Sequence, residues 1–145
     1  MILGEGPERA SLYRSACRLG IAGDLIMPGF NPNPWALMRR ARVFVSSSIS
    51  EGFGNVIVEA MIAGCPVVAT PSGGPQDILR HGENGLFAEP DAEAICAAVL
   101  SLLEDDALRE KMIAQARIDS AKFSSVEVCQ QFCRLLDEVL HGICL

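Results

Sequence analysis

Short apolar runs alternate with longer segments of helical periodicity along this 145-residue chain, and this alternation constrains its fold more than any other feature. The pattern is typical of parallel strands joined by crossover helices. It predicts five strands, at Met1–Leu3, Leu25–Met27, Val43–Ser46, Pro66–Thr70 and Gly85–Ala88. The expected fold class is therefore α/β, with a Rossmann-like parallel sheet that carries helices on both faces.

The intervening segments predict seven helices, at Glu8–Leu19, Trp35–Arg40, Val56–Ala63, Pro75–Leu79, Asp91–Leu103, Asp106–Asp119 and Ser124–Leu140. Asp91 and Ser124 stand where helix N-caps belong, and Gly20 stands where a helix ends in a left-handed residue. Residues 1–145 are expected to form one domain. Because Met1–Leu3 reads as the last part of a buried strand, we expect this domain to be partial.

Composition excludes several classes of function. The formal net charge is −6 and half of the residues are hydrophobic, so a nucleic-acid partner is not expected. No apolar run approaches the roughly 18 residues that span a bilayer, and the N-terminus lacks a signal-peptide pattern.

The six cysteines are scattered through apolar segments, without a C-x-x-C pair, at Cys17, Cys65, Cys96, Cys129, Cys133 and Cys144. Buried, reduced thiols are expected from this distribution. With only two histidines in the chain, a zinc site is not expected, and no other metal site is predicted.

Glycine-rich loops follow four of the predicted strands, at residues 4–7, 29–33, 50–55 and 71–75. In doubly wound sheets, ligands bind at the carboxyl ends of the strands, and glycine lets a ligand approach the backbone. Several such loops together favour a phosphate-bearing ligand. The pair Gly4 and Gly6 does not make a dinucleotide fingerprint, because Arg9 occupies the place of its third glycine.

The helix predicted after the third loop is apolar on every side except at Glu59, so we expect it to be buried with Asn55 as its cap. A carboxylate on such a helix needs a partner. Two interpretations stay open: a structural ion pair with Arg39 or Arg42, or hydrogen bonds from the paired hydroxyls of a ribose. The amides at residues 54–56 would face an anion.

The segment from Glu51 to Glu59, EGFGNVIVE, resembles the E-x7-E motif of retaining glycosyltransferases, in particular glycosyltransferase family 4. The surroundings agree in order and spacing, and the resemblance covers Met1 to about Leu103. Asp77 stands where the family more often has glutamate. This resemblance implies the nucleotide-sugar-binding, C-terminal half of a GT-B fold, here without its first strand and helix.

The same resemblance implies a role for each matching residue. Glu51 would bind the hydroxyls of the donor sugar and serve catalysis, and Glu59 would bind the ribose. The other donor-binding residues implied are Gly4, Gly6, Phe30, Asn31, Gly52, Phe53, Gly54, Asn55, Val56, Gly73 and Gly74. Of these, the residues near Phe53 and Gly4 would contact the diphosphate or sugar, and Phe30 and Asn31 would lie near the base.

The implied reaction is retaining, metal-independent hexosyl transfer from a UDP- or GDP-linked sugar, in polysaccharide or glycolipid biosynthesis. It needs no cofactor. The resemblance also implies a cytoplasmic enzyme, with peripheral association at the inner face of the membrane compatible with it. The family's N-terminal acceptor domain is not in this sequence, so the chain alone is expected to be inactive.

Two alternatives belong to other classes of function. A glycoside hydrolase would use Glu51 and Glu59 as its two carboxylates, but it leaves the glycine-rich strand ends unexplained. A non-catalytic nucleotide-sugar-binding module, or one subunit of a split transferase, remains open.

Overall fold

The computed structural model describes residues 1–141 of the chain. These residues fall into two compact units, which divide between Leu37 and Met38 and are described separately.

The first unit pairs two extended segments in parallel, and helix α1 (Arg9–Arg18) connects them along the chain. Leu3 and Gly29 form a single parallel bridge, and the Gly4 amide donates to the Gly29 carbonyl at 2.9 Å. The predicted pairing is therefore parallel, but the predicted strands Met1–Leu3 and Leu25–Met27 do not form a ladder. Pro28 has no N–H to donate, which interrupts regular pairing. Helix α2 (Pro34–Met38) follows.

The second unit contains a three-stranded parallel sheet in the order β1 (Phe44–Ser46), β2 (Val67–Ala69), β3 (Leu86–Phe87). Phe44 is opposite Val67, and Val68 is opposite Leu86. The three strands confirm the predictions for this part of the chain, each shortened by one or two residues. All three residues of the central strand β2 are buried, as expected for a strand covered on both faces.

Helices pack on both faces of this sheet, which confirms the predicted architecture. Val67 and Ala69 face a core made with α3 (Asn55–Ala63) and α4 (Pro75–Ile78). Val68 points the opposite way, because strand side chains alternate, and packs with α5 (Ala92–Glu104) and α6 (Asp106–Ser120). A 3-10 turn (Ala121–Phe123) then leads into α7 (Ser125–His141).

Most of the helix caps and helix ends predicted from the sequence are present in the structure. The Asp91 carboxylate accepts from the Ala94 amide at 2.8 Å, and the Ser124 hydroxyl accepts from the Glu127 amide at 3.3 Å. Gly20 ends its helix with a φ of 71°. The prediction for Asn55 is wrong: it is the first helical residue of α3, and Gly54 holds the cap position in a left-handed conformation.

Among the cysteines of residues 1–141, the expectation of buried thiols holds only for Cys65, which is 1% exposed. Its burial raises the pKa of the thiol to about 11. The other described cysteines are exposed: Cys17, Cys96, Cys129 and Cys133. Two of them, Cys129 and Cys133, lie on α7, which has no buried residue. All five are free thiols, and Cys144 lies outside the described residues. Within residues 1–141, no helix is long and apolar enough to cross a membrane.

The turn before β3 is fastened to α6 by a polar network around Asn84, which is fully buried. The Asn84 amide accepts from the Arg80 amide at 2.7 Å and donates to the Asp119 carboxylate at 2.8 Å. Burial opposes ionisation of Asp119, but hydrogen bonds from Arg80, Asn84 and Gln115 outweigh it and hold the pKa of this carboxyl below its usual range. The network therefore holds β3 against the helical layer.

Substitution Asn84→Ala is expected to lower the free energy of unfolding by about 2–3 kcal/mol, since it strands buried hydrogen-bonding groups. Urea denaturation measures this. The neighbouring Glu83→Ala removes only an exposed ion pair to Arg80 and should cost less than about 1 kcal/mol. Equal effects of the two substitutions would contradict the role given to Asn84.

Candidate functional site

The loops that follow β1 and β2 are joined backbone to backbone. Glu51 forms a parallel bridge with Gly73. The Glu51 amide donates to the Ser72 carbonyl at 2.9 Å, and the Gly74 amide donates to the Glu51 carbonyl at 3.2 Å. This pairing extends the parallel geometry of the sheet beyond its strands and brings the two loops to the same edge.

Gly74 makes this contact possible. It is buried, and a Cβ atom there would overlap the backbone of Gly52 and Phe53. On Gly73, which has a φ of 93°, a Cβ would lie 3.1 Å from the Glu51 carbonyl oxygen. The expectation that glycines at strand ends serve close approach to a ligand therefore needs correction at Gly74, where the approaching backbone is the chain's own.

Side-chain hydrogen bonds hold the first loop in place. The buried Thr70 hydroxyl donates to the Ser48 carbonyl, which ties the loop to the end of β2. The Ser48 hydroxyl lies 3.5 Å from a carboxylate oxygen of Glu51. Glu51 is half-buried and lies in the loop after the carboxyl end of β1.

Helix α3 begins directly after this loop. Gly54 adopts a φ of 93°, a left-handed value that strains other residues, and its carbonyl accepts from the Ile57 amide at 2.8 Å. Within residues 1–141, the Asn55 and Val56 amides have no acceptor. Two donors and the positive end of the helix dipole therefore point outward, an arrangement suited to an anion.

Glu59 lies one turn further along α3, half-buried and without an ion pair or side-chain hydrogen bond to any described residue. The ion pair between Glu59 and Arg42, one of the two interpretations of the sequence, does not form. Arg42 pairs with Asp106 instead, at 3.4 Å. The helix is also less buried than predicted. Val56 is 42% and Ile62 59% exposed, since the described part of this unit covers α3 on one side only.

A cavity of about 720 Å³ opens beside the first turns of α3. Phe53, Asn55, Val58 and Glu59 line one side of it, and the opposite side consists of the 3-10 turn and α7, through Lys122, Phe123, Val128 and Gln131. Its size falls within the roughly 300–1,000 Å³ range of small-molecule sites. One residue with an unbonded amide, Asn55, thus lines the same open space as the acidic Glu59 and the basic Lys122.

Four predicted residues belong to the first unit. Gly4 and Gly6 lie on the loop after the first extended segment, and neither would meet another atom if it carried a Cβ. The bridge at Leu3 and Gly29 places this loop beside Phe30 and Asn31. Phe30 is 79% exposed, and the Asn31 side chain accepts from the Asn33 amide at 2.8 Å.

Three features of the site were not predicted from sequence. Ser72 has a buried hydroxyl oxygen without a hydrogen-bond partner in the described residues. Phe123 packs edge-on against Phe53, with ring centroids 5.6 Å apart, and Lys122 lies beside the same cavity. Because about 70 residues separate Phe123 from Phe53, no local pattern in the sequence connects them.

Asp77 is exposed in the first turn of α4.

Metal ligands do not gather at this edge. Within the part of the chain that the structure describes, no group of three or more histidine, cysteine, aspartate or glutamate side chains could hold a metal ion.

Comparison with known proteins identifies the family to which this chain is similar. Residues 1–119 match the family glycosyl transferases group 1. A lipopolysaccharide core biosynthesis glycosyltransferase, LpsE of Rhizobium meliloti (strain 1021), is 39% identical over 112 residues, covering 77% of this chain and 33% of LpsE. An N-acetylgalactosaminyltransferase of Campylobacter jejuni acting on a diphospho-undecaprenol acceptor is 30% identical, covering 94% of this chain and 38% of that protein.

Comparison with solved structures agrees with the family match. Anabaena Alr3699/HepE in complex with UDP superposes with a TM-score of 0.87 at 29% identity, covering 94% of this chain and 40% of that one. The C-terminal domain of a group 1 glycosyl transferase, LpcC of Francisella tularensis, superposes with a TM-score of 0.72 at 28% identity, covering 81% of this chain and 63% of that one.

A parallel sheet between helical layers, with glycine-rich loops at the carboxyl ends of its strands, defines a Rossmann-like domain of the GT-B class of glycosyltransferases. The chain belongs to the family glycosyl transferases group 1. It spans 33% of the length of LpsE and 38% of the length of the Campylobacter jejuni relative.

Substitution Gly74→Ala tests the backbone contact between the loops. The added Cβ overlaps backbone rather than a flexible side chain, so we expect a loss of about 1–3 kcal/mol in the free energy of unfolding. Gly52→Ala adds the same atom in open space and should change stability by less than about 0.5 kcal/mol. Chemical denaturation of both variants measures the difference, and a neutral Gly74→Ala would show that the loops are not so closely joined.

Proposed function

We propose that residues 1–145 bind the nucleotide diphosphate sugar donor of a retaining glycosyltransferase. In this proposal Glu59 binds the ribose hydroxyls, Glu51 binds hydroxyls of the donor sugar, and the amides at the start of α3 bind the diphosphate. Acceptor binding belongs to a separate domain of the whole protein. The intact enzyme would act in the cytoplasm, in polysaccharide or glycolipid synthesis.

The main support for this proposal is the environment of the Glu59 carboxylate. Its carboxylate lies in the wall of a 720 Å³ cavity without a partner in the described residues, next to helix amides that also lack one. Vicinal hydroxyls donate hydrogen bonds to a carboxylate, whereas phosphates accept them from amides. A nucleoside diphosphate presents both groups a few bonds apart.

The comparisons support the chemical class of the ligand. HepE was crystallised with UDP and with UDP-glucose, and this chain superposes on the two complexes with TM-scores of 0.87 and 0.84. On this basis we propose a UDP-linked sugar as the donor, with a GDP-linked sugar as the other candidate.

Catalysis in this proposal rests on stabilising the departing diphosphate, because preorganised donors act most strongly where charge develops. The amides at the start of α3 are held by Gly54 and by the joined loops before any ligand binds, so they need little reorganisation. Glu51 contributes by orienting the sugar. The departing phosphate accepts the acceptor's proton in a front-face displacement, which requires no enzymatic nucleophile.

A non-catalytic nucleotide-sugar-binding module, or a subunit of a split transferase, has the same donor site. Sugar transfer by the full-length protein distinguishes the enzyme from these alternatives.

The two glutamates are expected to differ in which ligand they affect. Glu59→Ala should weaken binding of both the nucleoside diphosphate and the nucleotide sugar by about 1.5–3 kcal/mol, because both ligands carry the ribose. Glu51→Ala should weaken the nucleotide sugar, leave the nucleoside diphosphate nearly unchanged and depress turnover. Calorimetric titration of UDP and UDP-glucose into full-length variants measures these effects.

Circular dichroism of each variant is the control, since Glu59 lies on a helix that contributes to the core. Glu59→Gln, which retains the shape of the side chain, separates the loss of charge from a loss of packing. Identical effects of the two substitutions on the two ligands would mean that the assigned roles are wrong.

Donor binding is also expected to need no metal. The described residues hold no acidic or histidine cluster at the strand ends, and backbone amides can neutralise a diphosphate without a cation. Titration of UDP with and without a chelator should give affinities within a factor of two. A tenfold loss on chelation, about 1.4 kcal/mol, would contradict this proposal.

A further inference from the structure

A chain of aromatic contacts leads from the 3-10 turn to the start of α3. The Lys122 ammonium lies 4.8 Å from the centroid of the Phe123 ring. Phe123 in turn packs against Phe53 at 5.6 Å, with the two rings inclined by 75°. Edge-on aromatic packing and cation–π attraction both restrict orientation. Together they hold the ammonium near the loop from which α3 begins.

The charge of Lys122 is not used in an ion pair within the described residues. This residue is exposed, and within residues 1–141 it forms no ion pair, although 18 acidic residues are present in this chain of net charge −6. Its only lysine counterpart, Lys111, lies on α6 away from the cavity. Lys122 and Glu59 line the same cavity without pairing with each other. The cavity therefore has opposite charges on two walls.

We propose that Lys122 binds the diphosphate of the donor, together with the amides of Asn55 and Val56. This inference rests on the proposed function and adds a specific phosphate ligand to it. Glu59 repels phosphate and accepts hydrogen bonds from hydroxyl groups, whereas Lys122 attracts phosphate. The two side chains thus set the direction in which the nucleotide lies, with its ribose toward Glu59 and its phosphates toward the 3-10 turn.

The test is a series of ligands that differ only in phosphate number. UDP and GDP are first titrated into the full-length protein, and the tighter of the two is compared with its monophosphate and nucleoside. Lys122→Ala should weaken the diphosphate about tenfold, the monophosphate less, and the nucleoside by less than twofold. It should also flatten the salt dependence of diphosphate binding. Lys122→Arg should retain most of the affinity.

Lys111→Ala is the matched control, since it removes an exposed lysine that does not line the cavity, and it should leave all three affinities unchanged. Glu59→Ala should weaken the three ligands by similar factors, because each carries the ribose. A Lys122→Ala protein that binds like the wild type, or that loses nucleoside and diphosphate affinity equally, would overturn the inference while leaving the donor site intact. Absence of wild-type binding to both UDP and GDP would overturn the proposed function and the inference with it.

Discussion

The contact between the loops after β1 and β2 is the constraint on which the rest of this site depends. It places the Glu51 backbone between Ser72 and Gly74, through hydrogen bonds of 2.9 and 3.2 Å. Because Gly74 has no side chain, the two loops approach to backbone contact, and α3 starts from a fixed point. Helix amides that are immobile before a ligand arrives bind it with a smaller loss of entropy.

That fixed point is supported from both faces of the sheet. Strand β2 is buried on both faces, with Val67 facing α3 and Val68 facing α5 and α6. At the turn before β3, the buried Asn84 ties the sheet to α6 through Asp119. The apolar core therefore positions the strand ends, while polar contacts hold the turns that packing alone leaves loose.

Sequence patterns were sufficient for the parts of this structure that depend on neighbours along the chain. Apolar alternation predicted the parallel sheet of the second unit, and short-range hydrogen bonding predicted the caps at Asp91 and Ser124. The exposed cysteines and the half-exposed α3 were predicted wrongly, because hydrophobicity reports what a residue tolerates and not which element covers it. Phe123 was missed because its contact with Phe53 joins segments about 70 residues apart, and Lys122 was missed with it because it lies next to Phe123.

The opposite charges around the cavity suit a ligand that carries phosphates at one end and hydroxyl groups at the other. An acidic chain repels a diphosphate at long range, so its phosphate affinity must come from short-range donors: the amides of α3 and, on our proposal, the Lys122 ammonium. A carboxylate in the same cavity would oppose a purely anionic ligand such as inorganic diphosphate. The Glu59 carboxylate contributes favourably to binding only when the ligand carries hydroxyl groups as well as phosphates. On our proposal, the combination of amides, ammonium and carboxylate therefore selects a nucleotide over a free anion.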